Sequence, residues 1–292
     1  VVSLYNDEIL DFVFDECDPK ICISNKSKGH RLKNKDIEIN SPNYYFKLMA
    51  DSGILVKREE RKEKIKTLIN QESKLVDLIP DLSEDLLNEL TDLVESPNLI
   101  KCNFDRQFLD LPVEVLSTVM KSHQRYIPLL KKNKKFSKLE LTSHEYLSTY
   151  FFVLSNGLIK SKIIIAKGNE KVLKARFSDA KFFVESDKEI SSQKRNEKLK
   201  AVNYFKGMGN VFQKVERIQL IAEKILKFLN NCSIDRDKII DSAKYCKNDL
   251  CSEIVFEFPE LQGIMGGKYL RNEGFSNEIC IAVAEHYLPA FY

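Results

Sequence analysis

The stretch NEKVLKARFSDAKFFV, residues 169–184, decides how the middle of this chain folds. Its apolar residues recur at helical spacing and predict an amphipathic helix. The predicted inward face holds Val172, Leu173, Phe177, Ala180, Phe183 and Val184. Side chains three and four residues apart share one side of a helix, which places Lys171, Lys174, Ser178 and Lys181 on the opposite face. The stretch therefore predicts a helix with one buried face and one basic face.

The segments on either side of this helix differ in their patterns. Residues 126–130 and 150–154 are rich in β-branched and aromatic residues and predict strands, with the basic run Lys131-Lys132-Asn133-Lys134-Lys135 between them. Beyond residue 200 the apolar periodicity is helical. The charged stretch 186–200 is the best candidate for a domain boundary. We expect an α+β fold, with a mixed α/β domain over residues 1–198 and an all-helical domain over residues 199–292.

A second amphipathic helix is predicted over residues 84–95. Ser83 can cap its first turn, where Glu84 and Asp85 also interact favourably with the helix dipole. The predicted apolar face holds Leu86, Leu87, Leu90, Leu93 and Val94.

The composition of the chain indicates a folded globular protein and not a disordered one. The chain has 292 residues, of which 43% are hydrophobic and 30% charged, and this balance is typical of a globular protein. The formal net charge of +3 is too small to indicate nucleic-acid binding by itself. Residues 160–200, however, contain twelve basic and six acidic residues. Such a surplus suits a surface that faces a polyanion, although an ordinary lysine-rich surface has the same composition.

We expect neither a membrane-spanning segment nor a signal peptide in this chain. No run of about eighteen apolar residues is present, and the seven cysteines include no C-x-x-C pair. We therefore expect reduced thiols, no bound metal and a cytoplasmic location. Because the sequence does not begin with methionine, we expect an internal fragment of a longer protein.

Catalytic motifs are incomplete wherever they begin. His144-Glu145 starts a zinc-protease pattern, but the second histidine position is Ser148. Gly207-Met208-Gly209 predicts a turn between helices, and the glycine-rich run at residues 263–267 lacks the ending of a phosphate-binding loop and predicts a turn. We predict no catalytic residue in this chain.

Two basic groups remain as candidate contacts for nucleic-acid phosphates. The first is the basic face of the predicted helix, with Lys171, Lys174 and Lys181, and with Arg176 beside it. The second is the junction containing His123 and Arg125, where stacking and hydrogen bonding would suit single-stranded RNA. The alternatives are a solvated helix face, an Arg176–Asp179 pair within the helix, and a junction that is merely capped and packed.

A series of motifs covers nearly the whole chain. The longest is the stretch from Gly168 to Phe183. The others are Gly29-His30-Arg31, Leu111-Pro-Val-Glu-Val-Leu116, Met120-Lys-Ser-His-Gln-Arg-Tyr126, Lys214-Val-Glu-Arg217, Lys247-Asn-Asp-Leu250, Glu257-Phe-Pro-Glu-Leu-Gln-Gly-Ile-Met-Gly266 and Glu285-His-Tyr-Leu-Pro289. In their residues and their order these motifs resemble the beta subunit of the bacterial heterotetrameric glycyl-tRNA synthetase.

The resemblance implies an assembly of two alpha and two beta subunits. The alpha subunit is implied to make glycyl-adenylate with ATP and Mg²⁺, and the beta subunit to bind tRNA(Gly) without a cofactor of its own. The first domain would be similar to the editing-like domain of phenylalanyl-tRNA synthetase beta subunits. The second would resemble an HD-type domain, named after a metal phosphohydrolase, here truncated at its C-terminus. Asn248-Asp249 replaces the histidine-aspartate doublet that such a hydrolase needs for its metal.

Three hypotheses about function follow. The first is a tRNA-binding beta subunit of glycine-tRNA ligase that does not itself activate glycine. A metal-dependent phosphohydrolase of the HD type is the second. The third is a scaffold whose only role is to dock the alpha subunit.

Overall fold

The computed structural model of the chain describes residues 1–10, 12–33, 35–132, 143–229 and 235–289. Residues 133–135 of the predicted basic run and Cys232 lie outside the described residues. Among the described residues, no helix is long and apolar enough to cross a membrane.

Among the described residues, six short strands precede the first α-helix, helices and strands are interspersed through the middle, and five α-helices follow the last strand, in an α+β arrangement. The α-helices, labelled α1 to α12 in chain order, are Tyr45–Asp51, Arg58–Val76, Glu84–Leu93, Val113–Thr118, Ser143–Tyr146, Lys162–Lys188, Ser192–Lys198, Val211–Phe228, Arg236–Tyr245, Glu253–Glu257, Ile264–Asn272 and Asn277–Glu285. The strands, β1 to β12, are Leu4–Tyr5, Glu8–Ile9, Val13–Phe14, Ile21–Cys22, Lys26–Lys28, Asp36–Glu38, Ile79–Pro80, Asn98–Asn103, Ile127–Leu130, Leu147–Ser155, Asn203–Phe205 and Gly209–Asn210. Short 3-10 segments and one π-helical segment, Val119–His123, connect them.

The chain divides into two compact units, each made of several segments. The first comprises Val1–Arg106, Met120–Asn133 and Leu147–Leu173, and the second comprises Gln107–Val119, Lys134–Tyr146 and Lys174–Tyr292. The division at residue 198 that the sequence suggests stays a prediction.

The first unit is built on an antiparallel sheet of four strands in the order β7-β9-β10-β8. The longest pairing runs between β8 and β10, from Asn98 opposite Ser155 to Asn103 opposite Tyr150. Helices α2 and α3 cover one face, where they enclose a core of Ile65, Ile69, Leu86, Leu87, Leu90, Val94, Leu99, Ile127, Leu129 and Phe152. The sequence predicted both strands at the centre of this sheet correctly.

The second unit has a helical core around α9, α11 and α12. Its apolar cluster consists of Tyr245, Leu270, Ile279, Cys280 and Val283. Helices α11 and α12 pack closely because Gly267 has no side chain: a Cβ there would lie 2.5 Å from the Cys280 carbonyl oxygen. A side chain at this position would therefore force the two helices apart.

Several predictions about the helices are confirmed and others are wrong. Leu173, Phe177, Ala180 and Val184 are buried in α6 as predicted, and the Ser83 hydroxyl caps α3. Val172 is 45% exposed and Leu93 is 60% exposed, in contrast to the prediction. Val172 lies at the edge of the buried stripe, whereas α3 ends at Leu93 and the chain continues extended through Val94.

The glycine-rich segments also differ from expectation. Residues 263–267 do not form a plain turn: α11 begins at Ile264, directly after Gly263 with its φ of +79°. Gly207 lies in the hairpin between β11 and β12, so the prediction of a region without strands after residue 198 is wrong at this hairpin.

Candidate nucleic-acid interface

Helix α6 presents the basic face that its sequence predicts. Lys171, Lys174 and Arg176 are exposed, and Lys181 is half-buried. Lys171 belongs to the first unit and the other three to the second. Lys171, Lys174 and Lys181 lie on the side of the helix away from its buried stripe, whereas Arg176, two residues after Lys174, projects from a different side of the helix.

The cations of α6 differ in their ion pairing. Lys181 Nζ lies 3.8 Å from Glu185 Oε1, one helical turn further along. Among the described residues, no ion pair within 4 Å involves Lys171, Lys174 or Arg176, so the pair between Arg176 and Asp179 that the sequence left open is not formed. These three cations can therefore meet an anion from solution without first giving up a carboxylate partner.

The second predicted patch has a different environment. Arg125 has a φ of +54° and follows the π-helical segment that ends at His123. Its Nε donates to Glu89 Oε1 at 2.6 Å, and its Nη1 donates to the Ser122 carbonyl oxygen. His123 is half-buried. The guanidinium of Arg125 is thus already engaged within the first unit. The partner Glu89 was missed because it lies 36 residues away in the chain.

Asn169, at the start of the long motif, has a structural role. Its Nδ2 donates to the Ile165 carbonyl oxygen at 2.7 Å, and its Oδ1 accepts from the Tyr126 hydroxyl at 2.7 Å. Burial raises the pKa of that hydroxyl to about 12, so it stays a donor at any physiological pH. The bond ties the start of α6 to the chain just before β9, within the first unit.

Asn248 and Asp249 are the residues that the resemblance to an HD-type domain sets at the metal position. Both are fully buried. Asp249 Oδ2 accepts from the backbone N–H groups of Gly263 at 2.6 Å and Gly266 at 3.0 Å, at the start of α11. Burial raises the pKa of this carboxyl to about 6.

This pair does not fit a metal centre. The Asp249 carboxylate caps a helix, and an amide replaces the histidine beside it. Among the described residues, no group of three histidine, cysteine or acidic side chains is placed to hold a metal ion.

Comparison with known proteins agrees with the resemblance that the sequence motifs indicate. The family model described as glycyl-tRNA synthetase beta subunit matches residues 1–292. The chain belongs to this family. It is 39% identical over 290 residues to the glycine-tRNA ligase beta subunit of Trichodesmium erythraeum, covering 99% of the chain and 40% of that relative. The corresponding subunits of Natranaerobius thermophilus and Listeria welshimeri are 37% and 36% identical, with the same coverage. The chain thus spans about 40% of the length of the curated relatives it matches.

Two motifs of this beta-subunit family meet in the second unit. Lys247 begins the motif Lys247-Asn-Asp-Leu250, and His286 lies in Glu285-His-Tyr-Leu-Pro289. Their side-chain nitrogens are 2.6 Å apart. This pairing could not be predicted from the sequence, because 39 residues separate the two positions.

Proposed function

We propose that this chain is a tRNA-binding part of a glycine-tRNA ligase beta subunit, which supports attachment of glycine to tRNA(Gly) without forming the adenylate. The family match over the whole chain carries the proposal. The alpha subunit, in a heterotetramer of two alpha and two beta subunits, would supply the ATP and Mg²⁺ chemistry. In the described residues, the helix-capping role of Asp249 argues against an HD-type hydrolase.

The exposed cations of α6 are the proposed phosphate contacts. Binding of RNA releases the counterions condensed on its backbone, and each cation that neutralises a phosphate adds to the salt dependence of binding. Lys174 and Arg176 are suited to this role because they are exposed and lack an ion-pair partner among the described residues. Lys171 shares these features in the first unit. Lys181 would exchange its long contact with Glu185 for a phosphate.

His123 and Arg125 form the second proposed contact, close to the acceptor end of the tRNA. Arg125 can reach a phosphate only if it loosens its bond to Glu89. We therefore expect this patch to contribute less per residue than the cations of α6.

We propose the apolar face of α8 as the surface that docks the alpha subunit. Leu220, Ile221, Ile225 and Phe228 are 52–86% exposed and lie along one side of the helix. An exposed apolar patch of this kind is typical of an interaction surface. Native mass spectrometry of the full-length beta subunit with the alpha subunit tests it: Ile221→Lys with Ile225→Lys should abolish the complex while tRNA binding persists. An unchanged complex would place the alpha contact elsewhere.

Aminoacylation tests the proposal as a whole. The alpha subunit should charge tRNA with glycine only when the full-length beta subunit carrying this segment is added. Formation of glycyl-adenylate, as measured by pyrophosphate exchange, should need the alpha subunit's active site and no residue of this chain. Equal charging with and without the beta subunit would overturn the proposed role.

A further inference from the structure

A cavity of about 390 Å³ opens in the second unit among α8, α9 and α12. Lys214 and Ile218 of α8 line one side, and Ala282 and His286 line another. Cys246 and Lys247, which follow α9, complete the wall. Its volume lies within the range of small-molecule sites.

Lys247 is held in this wall by neutral groups. The residue is only 8% exposed, its Nζ lies 2.6 Å from His286 Nε2, and it stands 3.6 Å from the centre of the Tyr287 ring. His286 Nδ1 lies 2.6 Å from the Val283 carbonyl oxygen, which can only accept, so Nδ1 carries the hydrogen. Nε2 then presents its lone pair to the lysine. The imidazole satisfies one of the three N–H donors and neutralises no charge.

No carboxylate oxygen of the described residues lies within 4 Å of this ammonium, although Asp249 is near enough to favour its charged form. No ion pair within 4 Å involves Lys247 or Lys214 in the described part of the chain. Burial, reinforced by Lys214, lowers the pKa of Lys247 to about 8, which still leaves much of it charged at neutral pH. A buried ammonium that no carboxylate contacts is unfavourable. Lys214 is half-buried at the same cavity, with its Nζ 4.1 Å from the centre of the Tyr204 ring, so an anion bound here would offset two cations.

We propose that this cavity binds the phosphate group of a small phosphate monoester, with Lys247 and Lys214 as its cationic ligands. Two ammonium groups match the charge of a phosphate dianion. The cavity is much larger than one phosphate, and its apolar wall at Ile218 and Ala282 can take the organic part of the ligand. This site does not depend on the tRNA contacts proposed for α6.

Calorimetry on the full-length beta subunit tests the site with three probes at matched ionic strength. Inorganic phosphate and AMP should bind, AMP more tightly, and adenosine should not. Lys247→Met and Lys214→Met should each weaken AMP binding at least tenfold, whereas the neighbouring Lys244→Met, outside the cavity wall, should leave it unchanged. Binding that Lys247→Met and Lys214→Met leave intact would overturn the assignment. Binding of a 5′-phosphorylated oligoribonucleotide without binding of AMP would also overturn it, because the site would then recognise the end of an RNA.

A measurement on the unmodified protein guards against variants that fail to fold. The groups around the Lys247 ammonium are Lys214, Cys246, Asp249, His286 and Tyr287. A bound anion favours the charged form, so phosphate should raise the pKa of Lys247 by roughly 1 unit or more, as followed by the NMR signal of its ¹³Cε. A pKa that is the same in phosphate and in chloride would show that the lysine serves only its bond to His286.

Discussion

The two basic regions of this chain differ in what their cations already do. On α6, Lys174 and Arg176 extend into solvent without an ion-pair partner among the described residues. At the junction before β9, Arg125 bonds to Glu89 and to a backbone carbonyl. A cation that lacks a partner can bind a phosphate without breaking an existing ion pair, whereas a paired cation must first give up its bond. The number of basic residues therefore overstates how many are available to RNA.

Charge reversal on α6 should have the largest effect. Lys174→Glu with Arg176→Glu removes two proposed contacts, each worth about 1.5–3 kcal/mol, so the tRNA affinity of the full-length beta subunit should fall roughly 100-fold or more. Filter binding with tRNA(Gly) measures it. The matched control is Lys194→Glu with Lys198→Glu on α7, which makes the same change in charge at exposed positions. If both variants lost the same tRNA affinity, the effect would come from net charge and not from contacts on α6.

Release of Arg125 should have a smaller and opposite effect. Glu89→Gln removes the carboxylate that holds the guanidinium, and an exposed ion pair is worth about 1 kcal/mol or less. If Arg125 contacts tRNA, the affinity should rise by up to about fivefold in the same assay. Glu63→Gln, at an exposed position on α2, is the control. Identical affinities in the two variants would make the Arg125 bond purely structural.

The two regions should differ least in how much their cations contribute to the free energy of unfolding. Arg125→Ala breaks the bond to Glu89 and should lower the free energy of unfolding by about 1 kcal/mol or less. Lys174→Ala should change it by less than about 0.5 kcal/mol, because that side chain is exposed and makes no ion pair among the described residues. Urea-induced unfolding of the full-length beta subunit compares them. A larger loss for Lys174→Ala would mean that α6 needs this cation for its fold.

The sequence predicted features that depend on local periodicity. The buried stripe of α6 at Leu173, Phe177 and Ala180 follows from spacing alone, and so does the cap that Ser83 provides. Periodicity fails at the margins of such a stripe, as Val172 shows.

Contacts between distant segments could not be predicted from the sequence. Asp187 and Arg195 lie in a charged stretch that predicts an exposed boundary, yet both are buried in the second unit. Asp187 accepts from the backbone of Glu253 and Ile254 and from the Tyr269 hydroxyl. Asp187 can be buried because these partners satisfy it, and all of them are more than 60 residues away.

The salt dependence of tRNA binding tests whether the lysines of α6 neutralise phosphates. Lys171, Lys174 and Lys181 should each be changed to Gln in the full-length beta subunit, and the affinity for tRNA(Gly) measured across a range of salt concentrations. If all three cations neutralise phosphates, the slope of log affinity against log salt should become shallower by up to about 3 units. An unchanged slope would contradict the account and leave this face of α6 as solvated surface.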